Sequence, residues 1–132
     1  MNLTDERTLT FGLEWAGCKT VARLGEERKR RRFIGMYGLP PIVWRMVFDD
    51  LKNTELVPVE LGVANLRLKE LLVTAHWLKD QATYENLATS FGWCEATIQK
   101  KVWKVTRAIA HLRAHKVRRF EIFNYTLVSL YY

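Results

Sequence analysis

The sequence predicts an all-α domain, a helical bundle containing a helix-turn-helix. Apolar residues recur at spacings of three and four through most of the second half of the chain, the signature of helices with one buried face. Two such runs meet at Gly92, where a tight turn between helices would fall. The one stretch with a clear β preference is FEIFNYTLVSLYY at residues 120–132, so at most one short C-terminal strand joins the helices.

With 132 residues, 48% of them hydrophobic and 12% aromatic, the chain can bury a core of its own and has little room for a second catalytic domain. Lysine and arginine number 21 against 14 acidic residues, a net charge of +7, which favours a polyanionic partner. Nucleic acid and an anionic membrane surface both satisfy that charge. Cys18 and Cys94 are far apart and outside any CxxC spacing, which excludes a zinc ribbon and a disulfide scaffold and fits a reducing compartment. The first residues, MNLTDERTLTFGLEWAG, lack the basic start and apolar block of a signal peptide. No run reaches the ~18 apolar residues of a membrane span, so a soluble intracellular protein is expected.

From Thr8 to Leu24 a loose periodicity of Leu9, Leu13, Trp15, Val21 and Leu24 predicts a first helix. Arg28, Lys29, Arg30, Arg31 and Arg32 then form five consecutive positive charges, read as a linker or an exposed helix end. In FIGMYGLPPIVWRMVFDDLKN the paired prolines can start a helix where a missing N–H costs nothing, with Pro41 in its first turn. Val43, Met46, Val47 and Leu51 fall near its apolar face, which Trp44 and Phe48 widen. Residues 53–63, broken by Pro58 and Gly62, read as a loop. From Asn65 onward Leu68, Leu71, Leu72, Ala75 and Leu78 recur at helical spacing. A short helix begins at the N-cap Thr83 and ends before Gly92. A long one runs from about Glu95 to about His115, with Ile98, Val102, Val105, Ile109 and Leu112 as its apolar seam. These elements suggest three regions: residues 1–32, an N-terminal helix with the basic linker; 33–119, the helix-turn-helix domain; and 120–132, an apolar tail that reads either as packed on the helices or as the first piece of a domain this chain does not contain.

Between Tyr84 and Val105 the helix-turn-helix pattern has physical content. Ala88 is small where two helices approach, Gly92 supplies a positive φ for the turn, and Ile98 plugs the shared core together with Leu87, Phe91 and Val102. In such a motif the second helix lies in the major groove and its first residues reach base edges. Those residues would be Glu95, Ala96, Thr97, Gln99 and Lys100. Gln99 can pair with adenine and Lys100 with guanine or phosphate, while Lys101, Lys104 and Arg107 are placed for the backbone. Residues 83–119 hold eight lysines and arginines against Glu85 and Glu95 alone. A glycine turn and a lysine-studded face also describe many solvated helix pairs that bind nothing, and pattern alone weighs the two readings equally. The clustering of charge favours DNA. The run Arg28 to Arg32 is a candidate phosphate-binding arm or nuclear localisation signal, with a solvated linker as the equal alternative.

Phe33, Tyr37, Gly38 and Pro41, then Trp77-Leu78-Lys79, Thr83, Glu85, Leu87, Ala88, Phe91, Gly92 and Thr97, resemble in order the N-terminal region of Harbinger-like (PIF/Harbinger) DDE transposases. The resemblance covers about two-thirds of the chain, residues 30 to 112. It implies a nuclear module that docks on transposon-end double-stranded DNA, a nuclease-bearing or Myb-like protein as a further partner, and an RNase-H-like domain whose three carboxylates hold two metal ions. In that family an aspartate-bearing strand soon follows, whereas residues 120–132 contain no aspartate. A truncated or domesticated DNA-binding piece with no catalysis, metal or cofactor is therefore expected. Trp93 and Cys94 depart from the Val and N-capping Ser of the family, and a thiol at that position is expected to cap the long helix poorly. Asp49 and Asp50 read as surface charge. His111 and His115, four residues apart, lack an accompanying carboxylate or thiol and read as solvent- or phosphate-facing. The five tryptophans read as packing groups, with the location of Trp93 left open. The alternative function, resting on the apolar tail and the amphipathic long helix, is a basic helical protein that binds a protein partner or a membrane surface.

Overall fold

A computed structural model describes residues 5–118, over which the chain forms six α-helices and no strand. The first, α1 (Asp5–Trp15), buries Leu9 and Leu13 completely, one turn apart on the core side. The helix expected over Thr8 to Leu24 stops at Trp15 because Gly17 adopts φ 89°. Cys18 N–H then bonds to Leu13 O and Gly17 N–H to Glu14 O, both at 3.0 Å, which closes the last turn on itself. What remains of the expected helix is one 3-10 turn, Val21–Arg23, with Val21 buried.

Of the two readings of the basic run, a linker or an exposed helix end, the structure has the second. The run lies inside α2 (Glu26–Tyr37), so a boundary after residue 32 would cut a helix. Glu26 and Glu27 occupy its first turn, where acidic side chains favour the helix dipole, and Glu26 pairs with Arg30 at 3.3 Å. The last turn places Phe33 and Tyr37 in the core, fully buried. The Tyr37 hydroxyl donates to Gly12 O of α1, and burial pushes its pKa up. The chain turns at Gly38, φ 86°, and enters α3 (Pro41–Lys52) through the two prolines as the sequence suggests. The indole of Trp44 donates to Tyr37 O at 3.2 Å. Trp44, Val47 and Leu51 form the buried face, whereas Met46, expected on it, is exposed. Six of the first eight residues of this helix are apolar, so periodicity cannot fix its rotation; the largest side chain and its hydrogen bond select it.

Residues 53–63 form a loop, as expected, containing a 3-10 turn at Val59–Leu61. It leads to α4 (Leu68–Asp80), the central helix. Five consecutive residues, Leu71 to Ala75, are completely buried because α4 packs against helices on several sides, among them α1, α2 and α3. Two further helices, α5 (Tyr84–Phe91) and α6 (Glu95–Arg118), pack on α4 and on each other. Their apolar residues are continuous with the same core, from Leu9 to Leu112. The apolar tail at 120–132 and its expected strand lie outside the described residues.

Candidate nucleic-acid interface

The pair α5–α6 is built as a helix-turn-helix. Thr83 Oγ1 accepts from Asn86 N–H at 3.1 Å, capping α5. Gly92 ends it at φ 75° with its N–H on Ala88 O at 2.9 Å. Leu87, Phe91, Ile98 and Val102 are all buried between the two helices and α4, as their spacing requires.

The turn residues have definite places. Trp93 packs half-buried against the core, and the Lys69 ammonium lies 4.5 Å from its ring centre. Burial pulls the Lys69 pKa down. Cys94 is exposed, and its Sγ lies 3.1 Å from Thr97 Oγ1. Hydrogen bonds from the Thr97 side chain, then from the Thr97 and Ala96 backbone N–H groups, outweigh desolvation and lower the thiol pKa. The thiol stands just before the first residue of α6, with the Thr97 hydroxyl as its hydrogen-bond partner.

The faces of α6 divide the predicted contacts. Ala96, Gln99, Lys100, Trp103 and Arg107 stand at three- and four-residue spacings along one face of α6. They form one wall of an open groove of about 510 Å³, opposite Glu60 and Leu61. Trp103, expected as a packing residue, is 45% exposed, its ring tilted 50° against Trp77 at 6.2 Å. Thr97 is turned to Cys94 instead of the groove.

Lys101 and Lys104 are diverted inward. Both ammonium groups are directed at Glu70 Oε1, Lys101 in the closer contact and Lys104 at 3.5 Å. Glu70 is a buried carboxylate near the start of α4, and its Oε2 accepts from Arg67 N–H at 2.9 Å. Burial raises its pKa, but the Lys101 hydrogen bond, the Arg67 amide and the charges of Lys104 and Lys101 together hold it below the usual carboxylate range. The stem of Lys104 still lines the groove, where a Cβ added at Gly62 would meet it at 3.5 Å.

On α2, Arg28, Arg31 and Arg32 share a second, shallow concavity of about 320 Å³. Arg30 is held by Glu26, and Arg32 Nη1 lies 3.4 Å from Cys18 Sγ. The arginine-rich helix and α6 each pack on α4, and the arginines do not line the α6 groove. The structure thus brings together Gln99, Lys100 and Arg107, adds Trp103, and keeps the arginine run apart.

Glu70 and Trp103 escaped sequence reasoning. The signal for Glu70 was a lone acid inside the otherwise core-facing LKELLVTA; for Trp103 it was its phase, opposite to the seam Ile98, Val102 and Val105. His111 is exposed, and no group of three metal-ligating side chains forms among the described residues. Asp49 is exposed on α3, away from the groove lining. No described helix is long and apolar enough to cross a membrane. Comparison with family models, with curated proteins and with solved structures finds no match to this chain.

Proposed function

We propose that this protein binds double-stranded DNA through α5 and α6, without chemistry of its own. The observation that carries the reading is the alignment of Gln99, Lys100 and Arg107 on one exposed face of α6, directly behind an intact helix-turn-helix core. A helix presented in this way offers an amide for an adenine edge, a lysine for guanine or phosphate, and an arginine two turns further for the backbone. The charge of +7 supplies long-range attraction to such a partner. The resemblance to the N-terminal region of Harbinger-like transposases supports the same assignment and suggests a truncated or domesticated DNA-binding piece acting in the nucleus, with a nuclease-bearing or Myb-like partner.

A second reading, a docking surface for another protein, draws on the 45% exposure of Trp103. Salt separates the two. Contacts to phosphate release counterions and weaken steeply with salt, whereas an apolar interface does not. Fluorescence anisotropy with labelled duplexes at several salt concentrations is the test. Lys100→Ala with Arg107→Ala is expected to lower affinity and to flatten the log–log salt slope by about 1.8, at ~0.9 per lost phosphate contact. An unchanged slope in that variant would remove α6 from the interface.

A further inference from the structure

Two lysines that the α6 sequence offers to phosphate already have an anion. Lys101 and Lys104 lie three residues apart on the flank of α6 that faces α4, and both ammonium groups converge on one oxygen of Glu70. The Glu70 side chain is only 5% exposed, while those of Lys101 and Lys104 are 33% and 29% exposed. Its second oxygen is occupied by the Arg67 amide. The carboxylate is thus surrounded by donors from two helices, much as a phosphate oxygen would be. Lysines that swung out to a nucleic acid would leave behind a buried, uncompensated charge, which is among the most unfavourable arrangements in a protein interior. A new pair with an exposed, hydrated phosphate is weak by comparison.

We infer that Glu70 confines polyanion contact to the outer face of α6, Gln99, Lys100, Trp103 and Arg107, by holding Lys101 and Lys104 as an internal ion cluster. Glu70 is a positioning residue: it touches no ligand and sets which cations are free to. The inference rests on the DNA reading for its biological partner, but the division of the lysines is a property of the chain itself and applies to any polyanion. Removing the carboxylate charge should release both lysines. Removing all three charged groups together should change nothing at the outer face.

The experiment compares wild type, Glu70→Gln, and the neutral triple variant Glu70→Gln, Lys101→Met, Lys104→Met. Each is read by the salt slope of duplex binding and by elution salt from immobilised heparin, with circular dichroism and urea unfolding to verify the fold. Glutamine retains an oxygen for the Arg67 amide, so the start of α4 keeps its cap. Glu70→Gln is expected to steepen the slope by up to about 1.8, two added phosphates at ~0.9 each, and to elute later from heparin. The triple variant is expected to match wild type in both measurements. A triple variant whose slope and elution fall like those of Lys100→Ala, Arg107→Ala would overturn the inference, and so would an unaltered Glu70→Gln. The two variants test the division independently if one of them fails to fold. Wild type that ignores duplex DNA while the heparin order holds would defeat the DNA reading alone.

Discussion

Two helix-interior glycines look alike in sequence and differ completely in their surroundings. A Cβ at Gly12 in α1 would stand 2.5 Å from Phe33 Cε2 and 3.3 Å from Leu72 Cδ1, inside the contact between three helices. At Gly35 in α2 a Cβ would meet nothing within 4 Å. Alanine is favoured over glycine within a helix by up to ~1 kcal/mol at either place. Gly35→Ala should therefore raise the unfolding free energy by about 0.5–1 kcal/mol. Gly12→Ala should lower it by about 1–3 kcal/mol, because an overpacked core outweighs the gain in propensity. Urea midpoints of the two variants are expected on opposite sides of wild type; a shift in the same direction would mean that α1 and α2 do not approach at Gly12. Thr83 and Gly92, by contrast, are legible in the sequence, because capping and positive-φ turns depend on the residue and its immediate neighbours.

At the level of helices, local pattern and tertiary packing account for different parts of the result. The α5–α6 pair follows from spacing alone, since Leu87, Phe91, Ile98 and Val102 have one arrangement that buries them all. For α3 the apolar residues nearly encircle the helix, and only contact with Tyr37 decides that Trp44 faces inward and Met46 outward. The turning of Lys101 and Lys104 toward Glu70 has the same origin, a carboxylate more than thirty residues away in sequence that no local pattern links to them. That junction between α4 and α6 has a pH signature. Glu70 is held below its ordinary value of 4.5 in the folded chain, so its contribution to stability is complete above about that pH. The contribution drains away as pH falls from there through the lower folded-state value. Urea unfolding of wild type and Glu70→Gln across the acid range should show a steeper loss in wild type, with the curves converging at the lowest pH. Parallel curves would mean that the carboxylate is not paired in solution.

For the whole molecule the main consequence is that the basic N-terminal region and the helix-turn-helix share one core. Leu9 and Leu13 are completely buried, and Gly12 O receives the Tyr37 hydroxyl. A division into 1–32 and 33–119 follows the charge pattern but not the packing, because a run of five cations hides the fact that the next turn of the same helix carries Phe33 and Tyr37 inward. A chain beginning at residue 33 would lose both leucines, each worth about 2–5 kcal/mol, from a total stability on the order of 5–15 kcal/mol. Such a chain should show no cooperative urea transition; one as sharp and as late as that of the full chain would mean that α1 is dispensable. The tryptophans also give the molecule an optical division of its own. Trp44 is sealed at 1% exposure and Trp103 is wet at 45%, beside Lys100 and Arg107 in the same groove. Intrinsic fluorescence therefore contains a shielded, blue-shifted emitter deep in the bundle and a water-exposed emitter on α6, next to cations that concentrate iodide. Quenching by iodide and its relief by a ligand can follow occupancy of the groove without a label, while the shielded emitter reports whether the bundle is intact.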